Sequence, residues 1–217
     1  ELAFTDSELA YNTNNVSMLS GHLFKSPVDM AIRRATSTDE SDRLMIVNST
    51  DGSMLVFSLL RSQEVTAPAE FTTDGDYKAV GVDIDTIYTV VKRTVDNAAQ
   101  YFVEYFDNTL TLDSAISASA AAANATVAHL DTETVKVILD GIVQPDETVS
   151  SNVVTFDRNS ASTWQVGLNF EVELKTMPVE PQIQSGSLRG FKKRILEVNA
   201  EVFETQALTI NGELVSF

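Results

Sequence analysis

Apolar and polar residues in this chain alternate with a period of two, and stretches with the 3.6-residue period of a helix are few. The longest example places Val166, Leu168, Phe170, Val172 and Leu174 on one face, with Gly167, Asn169, Glu171, Glu173 and Lys175 on the other. That pattern predicts an amphipathic strand and sets its register, because a one-residue slip would bury both glutamates. Pro178, Pro181 and Gly186 end it, and Leu196, Val198, Ala200 and Val202 predict a last alternating strand. Val135, Val137 and Leu139 alternate with Thr134, Lys136 and Ile138, while Val80, Val82 and Ile84 share a face opposite Asp83 and Asp85. Elsewhere the apolar runs are nearly continuous. Leu44-Met45-Ile46-Val47 and Met54-Leu55-Val56-Phe57 fit strands buried on both faces. Residues 87–91, 101–106 and 153–156 add three more strands rich in β-branched and aromatic side chains.

The breaks between these runs have their own chemistry. Four Asp-Gly or Asn-Gly pairs occur: Asp51-Gly52, Asp74-Gly75, Asp140-Gly141 and Asn211-Gly212. They predict tight turns, because glycine accepts positive φ freely and Asn or Asp nearly does. Asp51-Gly52 joins the two apolar arms into a hairpin, and Asp96-Asn97 closes another. Ala67-Pro68-Ala69 marks a loop or a sheet edge, since proline cannot donate to a ladder. Near the amino terminus, 19–24 and 30–34 fit strands, and Ser26-Pro27-Val28-Asp29 equally fits a helix start. Residues 36–42 form a polar, acidic loop. Residues 113–128 change to Ser, Ala and Asn without an apolar stripe; this reads as a domain boundary or extended linker, with a short helix as the alternative. The chain therefore divides into a strand-rich body, 1–112 plus 190–217, and a smaller β domain, 113–189, inserted between its parts.

Composition narrows the function classes. A chain of 217 residues can bury ~70% of its unfolded surface and needs neither disulfide nor metal to fold. It has no cysteine, which excludes thiolate sites and fits folding in a reducing cytosol. No apolar run approaches the ~20 residues that span a bilayer. The chain opens on Glu1 without a basic n-region, which reads as a processed product or a piece of a longer protein. Fifteen Lys and Arg against 31 Asp and Glu leave a formal charge of −16. That balance disfavours sequence-independent nucleic-acid binding, which rests on cations that neutralise phosphate, and it disfavours anionic membranes. It suits solubility, and equally a surface that DNA passes without sticking.

Candidate chemistry is sparse. The two histidines, His22 and His129, lie in unlike contexts, and no Gly-x-Ser-x-Gly elbow, Gly-x-Gly-x-x-Gly loop or Walker-type loop is present. Asp83 with Asp85 and Asp74 with Asp76 invite an oxygen-only cation site, but neither matches a full calcium loop. The one basic cluster, Arg189, Lys192, Lys193 and Arg194, reads as a solvated turn or a contact for an acidic partner. Trp164, after the polar Asn159-Ser160-Ala161-Ser162 loop, reads as a core anchor, with sugar stacking as the alternative; Tyr101 and Tyr105 are further stacking candidates. No catalytic, cofactor-binding or metal-binding residue is assigned.

The order of elements resembles a known family. Arg43-Leu-Met-Ile-Val-Asn, Asp51-Gly52, Arg61-Ser-Gln63-Glu64-Val65, Thr73-Asp74-Gly75, Ile87-Tyr-Thr-Val-Val-Lys-Arg93 and Tyr101-Phe-Val-Glu104-Tyr-Phe106 are similar to the tail nozzle (stabilisation or tubular) proteins of short-tailed phages. The likeness continues through His129-Leu-Asp131, the run from Val135 to Asp140-Gly141, Val166-Gly167-Leu168, Leu174-Lys175-Thr176 and Lys192-Lys193-Arg194-Ile195, and covers about 26–217. The resemblance implies an all-β fold: a β-propeller-like antiparallel body interrupted by a small inserted β-barrel or sandwich. It further implies a homo-oligomeric ring, usually a hexamer, beneath the portal and adaptor of the virion tail. On the same resemblance, the ring is expected to fold in the host cytoplasm, to conduct the genome on ejection, and to work without catalysis, cofactor or membrane. Whole members of that family supply further blades on both sides. The alanine-rich 117–125 stretch departs from the family's Thr- and Gly-containing linker.

Overall fold

The structure, a computed structural model, describes residues 2–5, 10–13, 15, 17–37, 40–158, 161–178, 182–183, 186–187, 192–203, 205 and 208–215. It is all-β and antiparallel throughout, its strands joined into several sheets, none of them closed. The chain divides into two compact units, 1–172 and 173–217.

In the first unit, β1 (Leu2–Thr5) and β2 (Ala10–Thr13) form a hairpin. A four-stranded meander follows, made of β3 (Pro27–Arg33), β4 (Asp42–Asn48), β5 (Met54–Leu60) and β6 (Val65–Phe71). A three-stranded meander comes next: β7 (Asp76–Asp83), β8 (Thr86–Val95) and β9 (Ala98–Tyr105). The two sheets share a core in which Met45, Val47, Met54 and Val56 of the first meet Tyr77, Val80, Ile87 and Val91 of the second. The opposite face of β4 and β5 is buried too, where Ile46, Leu55 and Phe57 are covered by Leu23 and Phe24. Continuous apolar arms thus mean two buried faces, as their pattern predicts. Each such side chain adds ~1.5–3 kcal/mol relative to exposure.

The cover is held by a polar residue. Asn48 is fully buried, and its side chain accepts from the Lys25 amide at 3.0 Å while donating to the Leu23 carbonyl at 3.0 Å and the Ser53 hydroxyl at 2.9 Å. Because every partner is satisfied, its burial carries little penalty, and it fastens the 21–25 segment over Phe57. That segment is a turn and a 3-10 helix, Gly21–Leu23, and not the strand predicted over 19–24; the helix start predicted at Ser26 is instead the entry to β3.

The rest of the first unit holds β10 (Asp113–Ala118), β11 (Asn124–Thr126), β12 (Thr134–Leu139), β13 (Ile142–Val143), β14 (Glu147–Thr148), β15 (Val153–Thr155) and β16 (Trp164–Leu168). One sheet runs β10-β16-β12-β13 with β14 also on β12, and β11 pairs with β15. A single apolar cluster lies within it, centred on Leu130, Val137, Leu139, Val149 and Val166. Residues 113–128 therefore hold two strands, joined by an irregular 119–123 connection, and enter the 3-10 turn Ala128–Leu130, where composition predicted a domain boundary or extended linker, or a short helix. Ladder pairing overrides the weak helix preference of Ala and Ser there: Ile116, Ser117 and Ala118 pair with Val166, Gln165 and Trp164.

The long amphipathic strand is shorter than its pattern. Val166 and Leu168 are buried as predicted, but β16 ends at Leu168, and Val172 and Leu174 are each 86% exposed. Strand β16 sits between β10 and β12, and its last partners are Asp113 opposite Leu168 and Lys136 opposite Gly167. Beyond them no strand among the described residues pairs with the backbone. Ile84 likewise leaves the face of Val80 and Val82 for the two-residue turn between Asp83 and Thr86, at φ 58.

In the second unit, β17 (Gln182–Ile183) pairs with β18 (Gly186–Ser187), and β19 (Leu208–Ile210) with β20 (Glu213–Val215) across Asn211-Gly212. Residues 192–202, including the alternating Leu196, Val198, Ala200 and Val202, are exposed and lie outside any strand, contrary to expectation. Pro181, Arg189, Asn159 and Ser160 lie outside the described residues.

Candidate functional site

Two features of the first unit stand out: a buried charge centre and an exposed aromatic face, on opposite sides of the β7–β8–β9 sheet. Strand β8 alternates, sending Ile87, Thr89, Val91, Arg93 and Val95 inward and Tyr88, Val90, Lys92 and Thr94 outward. An arginine thus occupies an inward position, 2% exposed, and this residue organises the centre.

The Arg93 guanidinium grips Glu104 with two bonds, Nε to Oε1 at 2.9 Å and Nη2 to Oε2 at 2.8 Å. Its Nη1 donates to the Asp74 carbonyl at 2.7 Å, and Nη2 lies 3.3 Å from Asp113 Oδ1. Thr73 Oγ1 donates to Asp113 at 2.5 Å and Ser114 Oγ to Glu104 at 3.0 Å, so both carboxylates are satisfied. Burial by itself lowers the Arg93 pKa, but the Glu104 hydrogen bond and the Asp113 charge outweigh it and raise it. Tyr77 is pushed up, chiefly by burial and then by the Asp113 charge. This centre draws on β8, β9, the segment after β6 and the first residue of β10. Its fork geometry is saturated with protein partners, so it works as a rivet between the three-stranded meander and the following sheet.

His129 belongs to the same seam. Its Nε2 lies 2.8 Å from the Ser114 carbonyl, which requires Nε2 to carry the proton, and its ring meets Phe102 edge-on at 6.3 Å. Gln165 continues the seam by accepting from the Thr111 amide at 3.1 Å and donating to the Thr109 carbonyl at 3.0 Å.

The remaining predicted candidates are dispersed. His22 is exposed on its 3-10 turn. Asp83 ends β7 and Asp85 sits in the turn, where its carbonyl accepts from Arg33 Nε at 2.9 Å, so the two share no strand face. Asp76 pairs with Lys78 at 2.8 Å, while Asp74 contributes its carbonyl to Arg93. Among the described residues no cluster of three or more His, Asp or Glu is arranged to hold a metal ion. Trp164 is half-buried and packs on Phe156 at 5.9 Å, as a core anchor does. Lys192, Lys193 and Arg194 are exposed.

Tyr105 comes together with a residue the sequence did not single out, while Tyr101 shares only its strand face. Both project from the outer face of β9, and Tyr105 lies opposite Tyr88, with ring centroids 6.2 Å apart. Val103 is 75% exposed between them, and Lys92 lies opposite Tyr101. The missed signal was period: Tyr88, Val90 and Lys92 alternate against Val91 and Arg93, and pairing β8 to β9 aligns the tyrosines.

The sequence matches no family model and no curated protein. Among the described residues no helix is long and apolar enough to cross a membrane.

Proposed function

We propose that this chain is a structural component of a short-tailed phage tail, a nozzle-type subunit that assembles into a ring around the path of the ejected genome. The observation that carries the reading is the pair of antiparallel meanders stacked face to face through one shared core. Successive sheets packed in this way are the repeating unit of a propeller-like body. The sheet from β10 to β16, which follows β9, corresponds on this reading to the small inserted β domain. Strong acidity supports the conduit: a wall of like charge repels the DNA backbone, and hydrated counterions fill the gap. The chain works by assembly, with heterologous interfaces in which one patch meets a different patch on the next copy. Native mass spectrometry with negative-stain imaging tests the reading: closed rings support it, and monomers at all concentrations in the presence of portal and adaptor overturn it.

A second reading, carbohydrate recognition, is favoured by the exposed Tyr88, Tyr101 and Tyr105 group. A glycan array separates it: specific signal abolished by Tyr101→Ala supports it, and background signal removes it.

A further inference from the structure

We infer that β9 is a strand-acceptor edge, completed by an extended, alternating apolar strand with cationic ends from a neighbouring protein of the assembly. The argument rests on how this molecule treats its other edges. An open strand edge carries unpaired amides and carbonyls, and folded proteins blunt it with proline, bulges, charge or shortness. Strand β3 opens with Pro27 and has a register shift between Pro27 and Asp29. Strand β6 carries Pro68 at its centre. Strand β7 shifts register between Tyr77 and Ala79, and β10 between Asp113 and Ile116. Strands β13 and β14 have only two residues each.

Strand β9 has no proline, bulge or shortness, and its one inward-pointing charge, a device that guards other edges, is neutralised by Arg93. All eight of its residues pair with β8 in unbroken register, without proline or bulge. Its single charged side chain, Glu104, is turned inward and engaged by Arg93. Its outward side chains at 101, 103 and 105 are apolar or aromatic and exposed. The sheet it closes has three strands where the sheet stacked on it has four. Among the described residues of the first unit no strand pairs with its free side.

Charge selects the occupant. Asp96 stands in the turn before β9, and Asp107, whose Oδ1 accepts from the Thr109 amide and hydroxyl, follows it; among the described residues neither takes part in an ion pair. An incoming strand therefore gains from cations at its two ends and from apolar residues at alternate positions, beside Tyr101, Val103 and Tyr105. That the donor is a different tail protein, and not a second copy of this chain, rests on the assembly reading; the acceptor edge itself does not, so the two fail separately.

The test uses the whole chain and a synthetic peptide of alternating threonine and valine with lysines at both ends. Its control is the same peptide N-methylated along one edge, which keeps the charge and removes the pairing amides. Hydrogen exchange followed by mass spectrometry should show saturable protection of 98–105 with the first peptide and none with the second. Equal binding of both peptides, protection at 65–71 instead, or no binding overturns the inference. Protection of 98–105 that grows with protein concentration alone, together with a doubled mass, also overturns it, since the occupant is then a second copy.

Discussion

Arg93 shows how one residue converts a simple alternation into a junction. On pattern alone it continues the inward series of Ile87, Thr89 and Val91, a position that selects against charge. It is tolerated because Glu104 and Asp113 arrive with the right geometry from other strands. Replacing such a residue leaves two partly buried carboxylates, each 21% exposed, without a counterion; a fully buried pair costs about 3–5 kcal/mol to break, and partial solvation brings this to about 2–3 kcal/mol. Arg93→Met is therefore expected to lower unfolding free energy by that amount in urea titrations, whereas a loss below ~1 kcal/mol would show that water reaches the centre. Surface pairs behave differently. Lys25 bridges Asp51 and Glu70, and its hydrogen bond is the main reason the Asp51 carboxyl falls to about 2. A depressed acid stabilises the fold above its unfolded pKa and loses that contribution as pH falls through the folded value. Thermal midpoints should thus decline between about pH 4 and pH 2. Asp51→Asn should flatten part of that decline; an unchanged profile would remove Asp51 from the account.

At the scale of the element, backbone partners decide where strands end. The alternation from 166 to 174 is uninterrupted, yet only its first part has a strand on either side. Val166→Asp should cost several kcal/mol by placing a charge in a closed core, while Val172→Asp should stay within about 0.5 kcal/mol. Equal effects in denaturant melts would mean that the strand extends further than β16. Connections obey a similar logic. Gly75 has φ 138, and an added Cβ would lie 2.4 Å from the Lys92 carbonyl oxygen, a backbone atom with little room to move. Gly75→Ala combines strain with a clash, and its stability loss should exceed ~1 kcal/mol in the same melts. The turn after β8 at Asp96-Asn97, with φ 49 and 59, and that at Asp140-Gly141, with φ 50 and 80, are the two-residue hairpins that their composition predicts.

For the whole molecule, charge sets what it avoids. At −16, duplex DNA should show no retardation by this chain in mobility-shift gels at physiological salt. Salt-sensitive binding to arbitrary sequences would contradict a conduit with a repelling wall. In the proposed ring, assembly would have to overcome the same repulsion between copies, so ring formation is expected to strengthen as ionic strength rises and screening shortens the reach of these charges. Native mass spectra at low and high salt would reveal that trend, and rings that dissociate on adding salt would point instead to charge-paired interfaces.

Alternation and turn chemistry were enough to establish an all-β chain, the β4–β5 hairpin with two buried faces, and the inward side of β12, because these depend on neighbours within a few residues. The features left to the packing of the chain involve residues distant in sequence. Strands β10 and β11 exist because β16 and β15 offer ladders to a segment with no strong preference of its own. The Arg93 centre forms because Thr73, Asp74, Glu104 and Asp113 converge on it, and the Tyr88–Tyr105 pair because two strands are aligned. A hydrophobic period specifies which way a side chain points. Whether the backbone finds a partner, and which charge meets which, is settled by where other parts of the chain come to lie.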